Sequence, residues 1–353
     1  MSDKNWLQEH RQSLITPKQF HKRGFIDHDT LLAADRIKQQ LQFRLPQRLA
    51  AKMTDKNLKN QFIPQKAELT HHPLERLDPI GDDVFSPVSG ITHRYKDRVL
   101  LKPTHHCAVY CRFCFRREKV SSEGYELNGE KLQAALLYIK EHKEITEVIL
   151  SGGDPLTLTD RKLKEILSAI EKMPHVRLMR FHTRIPTVLP SRITRDLIKL
   201  LSGYRVSVWM VAHINAPSEL DSEARLAIKA LVDGGIPMLH QGVLLKGVND
   251  CQQTLKTLFM ELITLRVKPY YLHYPDLANG TNHFRVPLAE ALSLVGSLRG
   301  ELPGYALPSL CIDIPGGGGK VVADLSRVEQ ISDTEFEIIS PITGKKHVIA
   351  YPC

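Results

Sequence analysis

The sequence has 353 residues, of which 42% are hydrophobic and 25% are charged, and its formal net charge is +9 at pH 7. These proportions are ordinary for a soluble globular protein, and the length suffices for one large domain or two smaller ones. The sequence contains no run of about 18 apolar residues, and its start, MSDKNWLQEHRQ, lacks the layout of a secretory signal. We therefore expect a cytoplasmic protein without a membrane partner.

The basic residues are scattered among acidic ones and form no patch interleaved with aromatic residues. A nucleic-acid-binding module would concentrate its positive charge on one stretch or face. We therefore predict no nucleic-acid partner. The excess positive charge is interpreted as a solvated surface with pockets for anionic cofactors.

The first 85 residues are polar, and stretches such as HDTLLAADRIKQQLQFRL (28–45) have a mostly helical pattern. A proline- and aspartate-rich stretch, HHPLERLDPIGDDVFSP (71–87), follows them and has the composition of a connector. We therefore predict a helical N-terminal region with its connector over residues 1–85.

Beyond the connector, short apolar runs alternate with helical patterns. Six of the runs have strand patterns: RVLLKPT, EVILSG, RLMRFHT, VSVWMVA, PMLHQGVLL and KPYYLHY. Most are followed by an amphipathic helical pattern, such as DRKLKEILSAIEKM after the second run. This alternation indicates an α/β protein whose parallel sheet is built from strand–helix units.

A partial (β/α) barrel and an open, doubly wound sheet both satisfy this order. The unusual polar clusters mostly follow strand ends, as in HHCAVYCRFC, SGGDP, HTRIP, HINAP and PDLANGTNHFR. Barrels carry their functional loops at that rim, so we predict a partial (β/α)6 barrel over residues 86–306. Residues 307–353 are predicted to form a short C-terminal β extension, with a glycine-rich lysine loop and a hairpin in EFEIISPITGKKHVIAY.

Three of the six cysteines lie within eight residues, in CAVYCRFC (107–114). Clustered cysteines in a large cytosolic chain indicate a metal or redox site rather than a disulfide framework. The thiolates of Cys107, Cys111 and Cys114 are one ligand short of a closed zinc site, which His105 or His106 would complete. They would also hold a [4Fe–4S] cluster with one iron left open, as a catalytic metal site requires.

The C-x3-C-x2-C spacing, with the aromatic Phe113 before the last cysteine, resembles the signature of the radical S-adenosylmethionine superfamily. The resemblance implies that S-adenosylmethionine chelates the open iron and is cleaved reductively to a 5′-deoxyadenosyl radical. SGGDP stands where that superfamily carries a glycine-glycine-acid motif. Gly152, Gly153 and Asp154 are thereby implied to hold the amino group of S-adenosylmethionine, although alone they would make an ordinary turn after a strand.

A second distinctive stretch, DIPGGGGK (313–320), places four glycines before a lysine. It is not a P-loop, because Val321 stands where that motif requires serine or threonine. A flexible linker also fits poorly, since the flanking SLCIDI and VVADL have strand patterns. A lysine on such a loop can form the Schiff base that pyridoxal phosphate requires.

Together, CAVYCRFC, HRYKDRVLL, HYPDLANGTNHFR and DIPGGGGK closely resemble the lysine 2,3-aminomutase family, over about residues 75–325. The resemblance implies an isomerase that interconverts L-lysine and β-lysine by radical migration of the amino group from C2 to C3. Its implied cofactors are a [4Fe–4S] cluster, S-adenosylmethionine and pyridoxal 5′-phosphate. We further expect an electron donor such as flavodoxin or ferredoxin, and a homo-oligomer.

The resemblance also implies roles for individual residues. Lys320 would carry pyridoxal phosphate, and Arg94, Tyr95 and Arg98 would surround this cofactor. His213 and Gln241 would line the S-adenosylmethionine pocket. Of the substrate, Arg116 would bind the carboxylate, and Asp276 and Asp313 would bind the ε-ammonium of lysine. Without the resemblance, HRYKDR would read as surface charge and His213 as a strand-end histidine. A 2,3-aminomutase for another amino acid, such as arginine or glutamate, stays an alternative, although the two aspartates disfavour an anionic substrate such as glutamate.

The resemblance to the lysine 2,3-aminomutase family does not extend to the C-terminus. Longer members bind structural zinc through a C-terminal cysteine cluster together with the cysteine of a GVNDC motif. GVNDC is present here with Cys251, but the sequence ends at Cys353 before the whole cluster, so we expect Cys251 to be a simple buried thiol. The branch that makes β-lysine for elongation factor P is an alternative. A non-enzymatic iron–sulfur or pyridoxal-binding protein would have little reason to retain the cysteines, Lys320 and Arg116 together.

Overall fold

The structure is a computed structural model that describes residues 3–120, 127–323, 328–340 and 343–351. Its N-terminal region is helical, as predicted, with helices α1 (Asp3–Arg11), α2 (Pro17–Lys22), α3 (His28–Leu32), α4 (Ala34–Gln40), α5 (Gln47–Ala50) and α6 (Lys56–Phe62). Thr16, Asp27 and Asp55 cap three of these helices, each accepting a hydrogen bond from the backbone N–H three residues later. Such caps start short helices where propensity alone would not.

A buried ion cluster joins this region to the cysteine loop that follows it in the chain. The Glu68 carboxylate accepts hydrogen bonds at 2.6 Å from both Arg112 and Arg117. Burial would raise the pKa of Glu68, but the two guanidinium groups hold it below its ordinary value. Removing one partner from such a cluster costs about 3–5 kcal/mol. The N-terminal region thus holds the part of the cysteine loop that carries Arg112 and Arg117.

The main sheet has nine strands in sequence order: β1 (Ile91–Tyr95), β2 (Arg98–Thr104), β3 (Glu147–Gly152), β4 (Leu178–Thr183), β5 (Ser207–His213), β6 (Met238–Val243), β7 (Val267–His273), β8 (Ser309–Ile314) and β9 (Gly319–Val322). The strands from β2 to β8 run parallel, while β1 and β9 pair antiparallel at the two ends. They form a nearly closed barrel, which confirms the predicted fold class.

The barrel contains one parallel strand more than the six predicted. β8 pairs with β7 in the register Tyr271↔Ser309 and Leu272↔Leu310. Its strand pattern is visible in SLCIDI, but its membership of the barrel depends on its pairing with β7. β8 and β9 therefore belong to the barrel sheet although they lie in the region predicted as residues 307–353. The predicted boundaries at residues 85 and 306 stay predictions.

The remaining helices are α7 (Gly129–Glu141), α8 (Asp160–Glu171), α9 (Ile185–Val188), α10 (Arg195–Ser202), α11 (Ser222–Asp233), α12 (Gln252–Thr264) and α13 (Leu288–Ser297). α8 is typical: Thr159 caps it, and Leu163, Ile166, Leu167 and Ile170 form one buried face. That spacing places four apolar side chains on one side of the helix. Burying each contributes about 1.5–3 kcal/mol.

A small antiparallel sheet follows the barrel, with strands β10 (Val328–Gln330), β11 (Glu335–Ile339) and β12 (Lys346–Ala350). β11 and β12 form the predicted hairpin, in the register Phe336↔Ile349. Tyr351, just after it, packs edge-on against Tyr274 at 4.5 Å between ring centroids, which ties the extension to the barrel. Among the helices within the described ranges, none is long and apolar enough to cross a membrane.

Candidate active site

The carboxyl ends of the parallel strands open into one cavity of about 530 Å³. Parallel strands of a barrel end at the same rim, so side chains far apart in sequence meet there. Every site residue predicted from sequence lines this cavity: Arg94, Tyr95, Arg98, Cys107, Cys111, Cys114, Arg116, Gly152, Gly153, Asp154, His213, Gln241, Asp276, Asp313 and Lys320. Their proximity is a structural result, whereas their individual roles remain predictions.

The three cysteines lie half-buried on the loop that follows β2, and each has a free thiol. Burial raises the pKa of Cys114 to about 11 and that of Cys107 well above its ordinary value. Binding of iron replaces such protons, because the thiolate is the ligand. The donor set therefore fits a cluster, with the thiols enclosed and aimed into a cavity that has room for a further ligand.

The alternative of a closed zinc site fits less well. Within the ranges that the structure describes, no three histidine, cysteine or acidic side chains are arranged to hold a single metal ion. The thiolates of a four-iron cluster bind different iron atoms, so they stand farther apart than the ligands of one zinc ion. A zinc site completed by His105 or His106 is therefore not preformed among the described residues.

Gly152 and Gly153 bring β3 against the cysteine loop. A Cβ atom on Gly153 would lie 2.3 Å from the carbonyl oxygen of His106, and one on Gly152 would lie 2.6 Å from that of Thr104. Gly152 also has φ +104°, which favours glycine. This close approach of β3 to the chain fixes the position of the cysteine loop. A contact of the two glycines with S-adenosylmethionine stays a prediction.

Asp154 is engaged by protein groups rather than pointing freely into the cavity. Its carboxylate accepts hydrogen bonds from the hydroxyl of Thr183 and the backbone N–H of Arg184, both at 2.7 Å, and from the N–H of Leu156 at 3.1 Å. Burial raises the pKa of Asp154 against the effect of these donors. The residue thus ties the end of β3 to the end of β4, and a contact with S-adenosylmethionine stays a prediction.

Lys320 lies on β9 and faces β8 and β7. Its ammonium group pairs with Asp313, and Nζ lies 3.1 Å from Nδ1 of His273. The backbone N–H of Lys320 donates to the hydroxyl of Tyr95 at 3.0 Å. Burial would lower the pKa of Lys320, but the negative charge of Asp313 raises it above its ordinary value. Lys320 is therefore held as an ammonium ion.

Asp276 lies beside this ion pair, and its pKa is shifted in the opposite direction to that of Asp313. Burial and the neighbouring charge of Asp313 raise the pKa of Asp276 to about 8. Burial would also raise the pKa of Asp313, but Lys320 and His273 hold it well below its usual value. The pKa values of the two neighbouring aspartates are therefore shifted in opposite directions, so Asp276 retains its proton to a higher pH than Asp313 does.

The predicted arginines each have an acidic partner. Arg94 and Arg116 share Asp82, at 3.3 and 2.9 Å, and Arg94 also donates to the carbonyl oxygen of Ile80 at 2.6 Å. Arg98 pairs with Asp97 and is exposed in about two fifths of its side chain (41%). The Nε atom of Arg94 is buried with no hydrogen-bond partner among the described residues, which indicates room for an anionic ligand group.

His213 and Gln241 are neighbours at the ends of β5 and β6. Phe113 of the cysteine loop stacks on the His213 ring, with centroids 5.7 Å apart. Burial lowers the pKa of His213 well below its ordinary value, so the ring is neutral. Its buried Nε2 atom has no hydrogen-bond partner within the described part of the chain. An unpaired polar atom at a cavity wall fits a site for a polar cofactor.

Several cavity residues were not identified from the sequence: Asp82, Arg180, His182, Arg184, Tyr270, Tyr271 and His273. HTRIP was identified as a polar cluster at a strand end, and it supplies His182 and Arg184, whereas His273 is the first residue of the stretch HYPDLANGTNHFR. Asp82 lies in the connector and carried no signal. One expectation is wrong: Cys251 is exposed, because it precedes α12 at the surface. Cys353 lies outside the described residues.

Comparisons with known proteins agree with this arrangement. Residues 101–258 match the profile of the Radical SAM superfamily. The chain is 44% identical to the L-lysine 2,3-aminomutase of Methanococcus maripaludis, over 74% of this chain and 60% of that protein. It is 37% identical to the glutamate 2,3-aminomutase of Clostridioides difficile, over 73% of this chain and 61% of that protein. It thus spans less than two thirds of the length of these relatives.

The chain covers a larger share of a further relative. The chain is 39% identical to a protein of Aquifex aeolicus that is provisionally named L-lysine 2,3-aminomutase, over 74% of this chain and 70% of that protein. The match covers 74% of this chain, and the residues that line the cavity fit the cofactors predicted from the sequence. The chain therefore belongs to the lysine 2,3-aminomutase family of the radical S-adenosylmethionine superfamily, whose cofactors are a [4Fe–4S] cluster, S-adenosylmethionine and pyridoxal phosphate.

Proposed function

We propose that this chain is an L-lysine 2,3-aminomutase, which interconverts L-lysine and β-lysine by moving the amino group between C2 and C3. The observation that carries the proposal is the combination of Asp276, Asp313, Arg116 and Lys320 in one cavity. A guanidinium suits the carboxylate of an amino acid, and carboxylates suit an ammonium at the far end of its side chain. The name of the Methanococcus maripaludis relative supports the same substrate.

When bound, the cluster and S-adenosylmethionine supply the radical that removes hydrogen from C3, and pyridoxal phosphate supplies the aldehyde that carries the migrating nitrogen. Cys107, Cys111 and Cys114 would hold the cluster. His213 and Gln241 would line the S-adenosylmethionine pocket, as their neighbouring positions on β5 and β6 support. The chain's own task is alignment, since radical transfer requires C3 to lie close to the donor.

Lys320 is the residue that we propose to carry pyridoxal phosphate. Nζ lies 3.1 Å from Nδ1 of His273, and this contact helps to position the amine in the cavity. Burial lowers the pKa of His273, so its ring is neutral and can accept a hydrogen bond from Nζ. Arg94, Tyr95 and Arg98 are proposed to surround the cofactor; the Tyr95 hydroxyl already fixes the backbone of Lys320.

The acidic end of the cavity supports lysine over glutamate. Asp313 is ionised, and Asp276 holds a proton that it can release when a second ammonium group arrives. A glutamate side chain would bring another negative charge to the same place and be repelled. Arginine is cationic like lysine, so only the reach of the pocket distinguishes them. Because Lys320 pairs with Asp313 here, the carboxylate is free for substrate once Lys320 has reacted.

We propose further that the cluster receives its electron from a small donor such as flavodoxin or ferredoxin, and that the enzyme works as a homo-oligomer in the cytoplasm. Clustered cysteines that bind a metal rather than form disulfides are typical of proteins from a reducing compartment. The division into residues 1–85, 86–306 and 307–353 is also kept as a proposal.

The test is an anaerobic assay of the full-length protein after reconstitution with iron, sulfide and pyridoxal phosphate. S-adenosylmethionine and dithionite are supplied, and L-lysine, L-arginine and L-glutamate are compared. We expect β-lysine, with kcat/KM for lysine about 100-fold or more above that for glutamate. Lys320→Ala is the inactive control. Turnover of glutamate without turnover of lysine would refute the proposal.

A further inference from the structure

One buried arginine from outside the cysteine loop contacts a cysteine of that loop. Arg184 lies just after β4 and is 6% exposed. Its Nη1 atom donates a hydrogen bond to Sγ of Cys111 at 3.0 Å. A hydrogen bond from a cation to a thiolate is charge-assisted and thus stronger than a neutral one. The contact therefore acts directly on a cluster ligand.

The direction of this donor is set by contacts on the other side of the guanidinium. Nη2 donates to the Glu219 carboxylate at 2.8 Å and to the amide oxygen of Gln61. The guanidinium also lies over the Phe62 ring, 4.6 Å from its centroid. With Nη2 and the flat face engaged, Nη1 is left directed at the sulfur of Cys111.

The groups that hold Arg184 are themselves fixed. Glu219 accepts hydrogen bonds from the backbone N–H groups of Asn215, at 2.8 Å, and Ala216, at 3.0 Å. The backbone carbonyl of Gln61 accepts from the N–H of Arg112, inside the cysteine loop, at 2.8 Å. One network therefore joins α6, the segment after β5 and the cysteine loop around Arg184.

A fixed positive charge at a cluster thiolate has a definite electronic consequence. Reduction adds one negative charge to the cluster, and a neighbouring cation stabilises that form more than the oxidised one. Hydrogen bonds to the sulfurs are among the factors that set cluster potentials. The effect is larger in a buried site, where water does not screen it. Glu219, the counter-charge of Arg184, opposes the effect.

We propose that Arg184 is a positioning residue that raises the reduction potential of the cluster through its bond to Cys111, and that Glu219 limits this rise. The residue eases the reduction that must precede cleavage of S-adenosylmethionine. The inference rests on the cluster binding of the proposed function. It does not depend on which amino acid is the substrate.

The experiment measures the midpoint potential of the cluster by a redox titration followed by electron paramagnetic resonance. Full-length protein is reconstituted anaerobically, its iron and sulfide are counted, and no S-adenosylmethionine or amino acid is added. The variants are Arg184→Gln, which removes the cation, Arg184→Lys, which keeps one, and Glu219→Gln, which removes the counter-charge. Arg48→Gln is the matched control: it removes a nearly buried guanidinium that bonds to Thr187, Asp221 and Glu223.

We expect Arg184→Gln to lower the equilibrium constant for reduction about tenfold, which is a potential about 59 mV lower. Glu219→Gln should shift the potential upward, because it leaves the positive charge less compensated. Arg184→Lys should lie between wild type and Arg184→Gln, and Arg48→Gln should match wild type. Opposite shifts at positions 184 and 219 are the signature of an electrostatic role.

Equal potentials in wild type, Arg184→Gln and Glu219→Gln would overturn the inference, as would shifts of the same sign in the two variants. If Arg184→Gln assembles too little cluster to titrate, Glu219→Gln decides, and an unchanged or lower potential there overturns it. The two proposals can fail separately. If the reduction potentials shift as expected but the protein does not isomerise lysine, only the proposed function is refuted. A wild-type protein that binds no iron would refute both.

Discussion

Asp313 and Lys320 are directly opposite each other on the antiparallel strands β8 and β9, and their side chains form an ion pair. Their separation of seven residues in sequence is set by the turn between the strands. Gly316, Gly317 and Gly319 adopt φ values of 75°, 95° and 93° there, which other residues rarely adopt. The glycines therefore serve the turn that returns Lys320 to face Asp313.

Lys320 is the expected attachment point of pyridoxal phosphate, as its position in the cavity supports. Borohydride reduction should fix the cofactor to Lys320, and Lys320→Ala should abolish trapping. Lys102 is the rival, since burial and the nearby Arg116 lower its pKa to about 8 and leave it more easily deprotonated. Lys102→Met should retain trapping, as measured by peptide mass spectrometry. Cofactor mapped reproducibly to Lys102 would contradict the assignment.

The cysteine loop is expected to bind about four irons per chain after anaerobic reconstitution. Cys111→Ala should abolish reductive cleavage of S-adenosylmethionine, because the cluster loses one of three protein ligands. Cys251→Ala is the matched control, since this cysteine is exposed and does not line the cavity. The readouts are iron content and 5′-deoxyadenosine formation. Stoichiometric zinc without iron-dependent cleavage would count against the cluster.

Substrate recognition is best tested at Asp276, because a change at Asp313 would also disturb Lys320. Asp276→Asn removes one charge-assisted hydrogen bond to the substrate ammonium, a loss of about 1.5–3 kcal/mol. The KM for lysine should therefore rise about 10- to 100-fold. S-adenosylmethionine affinity and trapping at Lys320 should stay unchanged. An unaltered KM for lysine would remove Asp276 from the substrate site.

Asp276 should also destabilise the ligand-free protein as the pH rises. Its pKa is raised to about 8 in the folded chain. Above about pH 4 the unfolded chain ionises this carboxyl while the folded chain keeps it neutral. The unfolded state therefore binds fewer protons, and the free energy of unfolding falls as the pH increases towards 8. Below pH 4 the group is protonated in both states and has no such effect.

The stabilisation produced by Asp276→Asn should accordingly be about 3–4 kcal/mol larger at pH 8 than at pH 5. Urea unfolding of the ligand-free protein at the two pH values measures it. Asp233→Asn is the control: bonds from Lys229 and Arg266 lower the pKa of this exposed carboxyl, so it is ionised at both pH values. A stabilisation by Asp276→Asn that does not depend on pH would contradict the raised pKa.

Gly153→Ala tests the contact between β3 and the cysteine loop. The new Cβ would lie 2.3 Å from the carbonyl oxygen of His106, so the loop must move. We expect a loss of about 1–3 kcal/mol in unfolding free energy and a reduced iron content after reconstitution. Gly304→Ala is the control, because a Cβ there meets nothing within 4 Å. Normal iron binding by Gly153→Ala would show that the close approach is dispensable.

The sequence by itself determined the features that depend on near neighbours. Cys107, Cys111 and Cys114 lie within eight residues, so their thiols share one loop whatever surrounds it. β2 and β3 have the bounds of the apolar runs RVLLKPT and EVILSG, because a buried parallel strand is a continuous apolar run. β8 was missed as a barrel strand, because its membership depends on pairing with β7 and not on its own pattern.

Only the tertiary structure decided how the site residues are charged and partnered. Arg184 lies 73 residues from Cys111 in sequence and yet donates to its sulfur. The raised pKa of Asp276 and the hydrogen bonds of Asp154 likewise depend on groups brought in by other strands. The physical reason is that pKa values and hydrogen bonds follow burial and distances between atoms. Separation along the chain does not fix these distances; they are set when the strands assemble around one cavity.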